Sequence, residues 1–157
     1  MLMKIVIALV VLVLLGVGFF KFRAMTSVDK SVAGGIVEEQ LAPCPGTPNC
    51  VSSQTQVAEK QVAPFKVSAG SNGPESWQKL VAVIEKTKGA QIESNNGSYL
   101  HATFKTPLMG YIDDLELLAD FDQQEIHVRS ASRVGHSDMG ANRKRVEALR
   151  AAYQSQY

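Results

Sequence analysis

From Ile5 to Phe20, sixteen consecutive residues are apolar or Gly, and Leu2 and Met3 carry the run back past Lys4. About 20 apolar residues cross the hydrocarbon core of a bilayer, with a lower limit near 17. Counting its first residues and Phe22, the segment reaches that length. It also lacks the polar stripe that a helix resting on a soluble core would show. Residues 1–23 are therefore expected to form a transmembrane helix that anchors the chain. A removable signal peptide would need small residues at a site such as A-x-A just after the run. Lys21, Phe22, Arg23 and then Ala24-Met25-Thr26-Ser27 stand there instead, so the anchor is expected to stay.

Charge and cysteine disagree about which side the rest of the chain occupies. Lys21, Arg23 and Lys30 outnumber Lys4, which by the positive-inside rule leans toward the cytoplasm. Cys44 and Cys50, the two cysteines, lie in Pro43-Cys-Pro-Gly-Thr-Pro-Asn-Cys50. Proline and glycine tighten that loop enough to bring two sulfurs together. A disulfide behind a membrane anchor belongs to an oxidising compartment. Two further readings stay open at this point: a metal pair completed by two ligands from elsewhere, and two free thiols. The disulfide is the expectation, with the domain outside the cytoplasm.

The remaining length suffices for one core. Residues 24–42, with Gly34-Gly35 and little apolar period, are expected to be a flexible linker, and 43–157 the globular domain. The formal charge of the whole chain is +1, and 43–157 carries 12 Lys+Arg against 12 Asp+Glu. That balance gives no footprint for a nucleic acid, and none is expected as partner.

Alternation and helical spacing set the elements. Val62–Val67 reads as a short edge strand interrupted by Pro64, while 50–61 reads as a polar loop. Pro74 opens a helix in which Trp77, Leu80, Val81 and Ile84 recur on one side, stopped by Gly89. Ala90–Asn95 and Ser98–Thr106 flank Asn96-Gly97, a strong hairpin signal. Leu100, Ala102 and Phe104 share one face of the second strand; Tyr99, His101, Thr103 and Lys105 share the other. After the connector Thr106–Gly110 come strands at Leu115–Asp122 and Ile126–Ser130. A last helix is expected from Ser137 to about Gln154, capped by Ser137 or Asp138. Met139, Val146, Leu149 and Tyr153 would form its apolar stripe. The sum is an α+β fold: an antiparallel sheet of about four to five strands with two helices on one face.

Charge is arranged in blocks. Asp113–Glu125 holds six carboxylates and no base; Arg129–Arg145 holds four Arg and one Lys against Asp138 alone. The two blocks are expected to pair or to build a shared polar site. Candidate ligand-binding residues are Asp113, Asp114, Arg129, Ser132, Arg133, His136, Ser137, Asn142 and Arg143. Arg offers a planar donor fork to carboxylate or phosphate, and a helix amino terminus after Ser137 would favour an anion. The bland alternative is a structural ion-pair network using Asp113 and Asp114. No H-E-x-x-H, P-loop, G-x-G-x-x-G or G-x-S-x-G occurs, and His101, His127 and His136 are not at metal-ligand spacing. No catalytic residue, metal or cofactor is therefore expected.

Three ordered motifs carry a resemblance over roughly 43–153: Pro-Asn-Cys50-Val-Ser-Ser53, Tyr111-Ile-Asp-Asp-Leu-Glu116 and the block Arg129–Arg145. Here the chain resembles the family catalogued as domain of unknown function 1499. The resemblance implies a domain of bacteria and plastids, often behind a membrane or export segment, with no established activity. On this footing the expected function is a membrane-tethered domain of the bacterial inner membrane facing the periplasm. It would bind an anionic small molecule, a lipid headgroup or an envelope protein partner. The alternative is a hydrolase acting on a phosphate or ester through Asp113/Asp114 and His136, which requires those side chains to meet in one cleft.

Overall fold

The computed structural model describes residues 1–25, 33–107 and 109–156. Helix α1 (Leu2–Met25) comes first, and its stretch Leu2–Arg23 has 22 residues with a mean hydropathy of 2.8. At 1.5 Å per residue it runs about 33 Å, long and apolar enough to cross a bilayer.

Of the stretch read as linker, 26–32 lie outside the described residues, and 33–42 are ordered against the domain. There β1 (Ile36–Val37) pairs antiparallel with β2 (Gln40–Leu41). Glu38 and Glu39 take left-handed backbone at φ 49° and 62° to turn between them. Leu41 and Ala42 are buried.

The main sheet is antiparallel throughout. Strand β3 (Cys50–Ser52) occupies an edge, and β4 (Phe65–Lys66) pairs with the far end of the same neighbour. After α2 (Gly73–Lys86) follow β5 (Ala90–Asn95), β6 (Tyr99–Lys105), β7 (Ile112–Asp120) and β8 (Glu125–Ser132), and α3 (Ala141–Gln154) ends the fold. Strand order is β3-β8-β7-β6-β5. The α+β architecture with a helix pair is as the sequence predicts, with six strands in the sheet. Two features are additional. Residues 50–52, read as loop, are a strand because Cys50 is bonded to Cys44 and lies opposite Ala131. Strand β7 starts at Ile112, three residues early, so the acidic pair Asp113-Asp114 belongs to the sheet.

Helix packing follows the apolar spacing. Asn72 caps α2 by accepting from the Glu75 N–H, and Trp77, Leu80, Val83 and Ile84 are buried. They join Val146, Leu149 and Tyr153 of α3 over Leu100, Ala102, Phe104, Leu115, Leu117, Ile126 and Val128. Each fully buried Leu or Ile contributes about 1.5–3 kcal/mol. Helix α3 begins at Ala141, not Ser137. Met139 and Gly140 are left-handed at φ 53° and 77°, which no helix accommodates. Met139 is consequently 91% exposed and outside the apolar stripe. Asp138 still satisfies the helix start, accepting from the Gly140 and Asn142 N–H groups.

Candidate functional site

Successive side chains of a strand point to opposite faces, and on β7 this separates the two acidic neighbours. Asp113 faces the helices, where Arg145 of α3 donates to it. The Arg145 guanidinium also lies 4.8 Å from the centre of the Phe104 ring, so the base of the pair rests on an aromatic face. Beside it Asn142, wholly buried, ties together Ser132 Oγ at 3.0 Å, Asp138 at 2.9 Å and the Asn49 carbonyl at 3.0 Å. Ser130 Oγ donates to Asn142 Oδ1. Asn49 in turn donates to the Gly135 carbonyl at 2.9 Å. The disulfide loop thus holds the loop after β8.

Asp114 faces the other way. Arg133 reaches it with Nε and Nη2 at 2.9 and 2.8 Å, and His101 Nε2 lies 2.7 Å from the same carboxylate. The hydrogen bond to Asp114 raises the Arg133 pKa against the opposing effect of burial. Two residues along, Glu116 repeats the pattern. It accepts from Arg129 Nη1 at 2.7 Å and from the Tyr99 hydroxyl at 2.8 Å. Burial, then the bond to Glu116, pushes the Tyr99 phenol above its ordinary value. Asp114 and Glu116 are fully buried. This face, opposite the helices, carries a polar layer in which Asp114, Glu116 and Arg129 are buried. Over Glu116 it is sealed by the chain ahead of β1: the Gly35 and Gly34 N–H groups donate to the carboxylate at 2.8 and 3.3 Å.

The acidic and basic blocks therefore pair, but as three separate ion pairs rather than one pocket. Arg133 is committed to Asp114 and does not converge with His136, which is exposed. Arg143 donates to the carbonyls of Gln61 and Glu59, fastening the 50–61 segment to α3. Ser137 Oγ accepts from the Met139 N–H within its own turn. Asp113, Asp114 and His136 do not assemble into a hydrolytic cleft, because β7 sends the two carboxylates to opposite faces. Glu116, Tyr99, His101, Arg145, Asn49 and Tyr111 were absent from the sequence-derived site. Period-two alternation alone would have parted Asp113 from Asp114 and placed Glu116 beside the latter.

A groove of about 400 Å³ lies beside these residues. Tyr111, Val134, Met139 and Ala141 give it an apolar wall, and Thr106, Ser132 and Ser137 supply hydroxyls. Asp113 and Asp138, with Phe19, Phe20 and Arg23 of α1, complete its lining. Pockets of this size, mostly apolar with a few fixed polar groups, suit small amphiphilic molecules. No cluster of three or more potential metal-ligating side chains occurs among the described residues.

No curated protein matches the chain. A family model described as a protein of unknown function, DUF1499, matches residues 40–153, which take in every strand of the main sheet, both domain helices and the polar layer between β6 and β8. The chain belongs to this family of proteins of unknown function, DUF1499.

Proposed function

We propose that this protein is a membrane-tethered, non-catalytic domain that holds an amphiphile of the lipid class in the groove between the β8–α3 loop and the end of α1. The observation that carries the reading is the groove's composition and place: an apolar wall with three hydroxyls, lying against the last turns of a helix long enough to span a bilayer. With α1 inserted in a bilayer, such a mouth would lie near the membrane surface, where lipids are the abundant ligands. An anionic ligand held by Arg133 and His136 has less in its favour, since Arg133 is already matched by Asp114 and Asp113 and Asp138 line the groove. The hydrolase alternative has the separation of Asp113 from Asp114 against it. The Cys44–Cys50 disulfide supports a domain on the extracytoplasmic side, facing the periplasm in a bacterial inner membrane.

The test is photolabelling of the full chain, reconstituted in phospholipid vesicles containing a diazirine-bearing phospholipid. Label is expected on residues 132–141 as well as on α1, whose labelling is the internal control. Ala141→Trp, which fills the groove from the first turn of α3, should lower label on 132–141 at least fivefold and leave α1 unchanged. Equal labelling of this loop in both proteins, or none in either, would refute the reading.

A further inference from the structure

Glu116 sits in the middle of a sheet face, fully buried, and accepts from four groups: Arg129, Tyr99 and the backbone N–H groups of Gly34 and Gly35. The last two come from a segment more than 80 positions away in the chain. A carboxylate gripping two consecutive amides recognises peptide backbone rather than a side chain. The sequence it holds is restricted sterically. A Cβ on Gly34 would lie 2.2 Å from the Ala42 Cβ, and Gly35 has φ +67°, where side-chain-bearing residues are strained. The rest of the strap is exposed at its turn and held at its end. Ile36 and Val37 are about half exposed, Leu41 is buried, and the Leu41 N–H donates to Gln54 at 2.8 Å. A cleft of about 440 Å³ between the strap and the disulfide loop leaves its underside incompletely packed.

We infer that Glu116, positioned by Arg129 and Tyr99, forms a peptide-binding site for a Gly-Gly segment with left-handed backbone at its second glycine, occupied in cis by the chain's own strap, 33–42. Because the strap competes as a tethered ligand, its effective concentration is high, on the order of millimolar for a short link. A free peptide of the same sequence can therefore enter only when the strap is out.

The full chain in detergent micelles, as wild type and as the double variant Gly34→Val, Gly35→Val, provides the test. The variant keeps residues 43–156 intact, checked by its near-ultraviolet spectrum and its thermal transition. Amide exchange over 33–42 is expected to speed up at least tenfold in the variant, with the β6–β8 amides unchanged. A synthetic peptide spanning residues 33–43 of the natural sequence should then bind the variant at least tenfold more tightly than the wild type. The same peptide with both glycines replaced by valine should not bind. Unchanged exchange over 33–42 in the variant, or failure of the natural peptide to bind a variant whose strap has been freed, would overturn the inference.

Discussion

Asp114 accepts two hydrogen bonds from Arg133 in a layer from which both side chains have been almost wholly desolvated. Transfer of such a pair out of water costs several kcal/mol per ion, so its net contribution to stability is small, but removing one partner strands the other. Asp114→Asn is accordingly expected to cost about 3–5 kcal/mol, read as a shift in the denaturant midpoint of the detergent-solubilised chain. Arg143→Ala, which removes bonds to two surface carbonyls, should cost much less. Tyr99 gives a pH signature. Its phenol is held above the ordinary value of 10.0 in the fold, so its contribution is complete below pH 10 and is lost as pH rises beyond it, where the unfolded chain gives up a proton that the fold retains. The slope is at most about 1.4 kcal/mol per pH unit, reduced by the water that reaches the partly exposed ring. Melting curves between pH 9 and 12 should show wild type losing stability more steeply than Tyr99→Phe. Residue types were legible in the sequence, and so was their tendency to pair. Which acid meets which base was not, because pairing crosses three strands and depends on register: Glu116 lies opposite both His101 and Arg129.

Elements were legible where the local signal and the fold agree. Asn96-Gly97 turns β5 into β6, and the Asn96 side chain accepts from the Ser98 and Tyr99 N–H groups to fix that turn. The β1–β2 hairpin carried no such signal. It turns on Glu38-Glu39, two left-handed residues in positions where Asn-Gly is the usual pair, and it is held at its ends, by Glu116 on the preceding glycines and by Gln54 on the Leu41 N–H. Strand β3, three residues long, is likewise too short to show alternation. Its strand character depends on the disulfide and on β8. At the start of α2 the reading was secure, and the packing adds a consequence: a Cβ on Gly73 would lie 2.4 Å from the Phe121 ring. Gly73→Ala is expected to destabilise by about 1–3 kcal/mol, whereas Gly46→Ala, which meets nothing within 4 Å, should be nearly neutral. Thermal melts of the two variants side by side check this.

At the scale of the molecule, a helix with a 22-residue stretch of mean hydropathy 2.8 precedes a domain with a buried apolar core on one face of its sheet and buried ion pairs on the other. The full chain is expected to stay in the membrane fraction after alkaline carbonate washing, and a chain lacking residues 1–25 to leave it. The mass of the membrane-bound protein should remain 17.0 kDa, and Cys44 and Cys50 should react with maleimide only after reduction. Composition and periodicity alone determined the long apolar first helix, the α+β class, the helix pair and the central hairpin, because each follows from a pattern contained within about twenty neighbouring residues. Tertiary structure alone decided that Asp113 and Asp114 serve opposite faces, that Arg133 is matched from within, and that Gly34-Gly35 seal Glu116. Those outcomes depend on contacts between residues tens of positions apart, and strand register, which no short window of sequence contains, fixes which groups lose their water together.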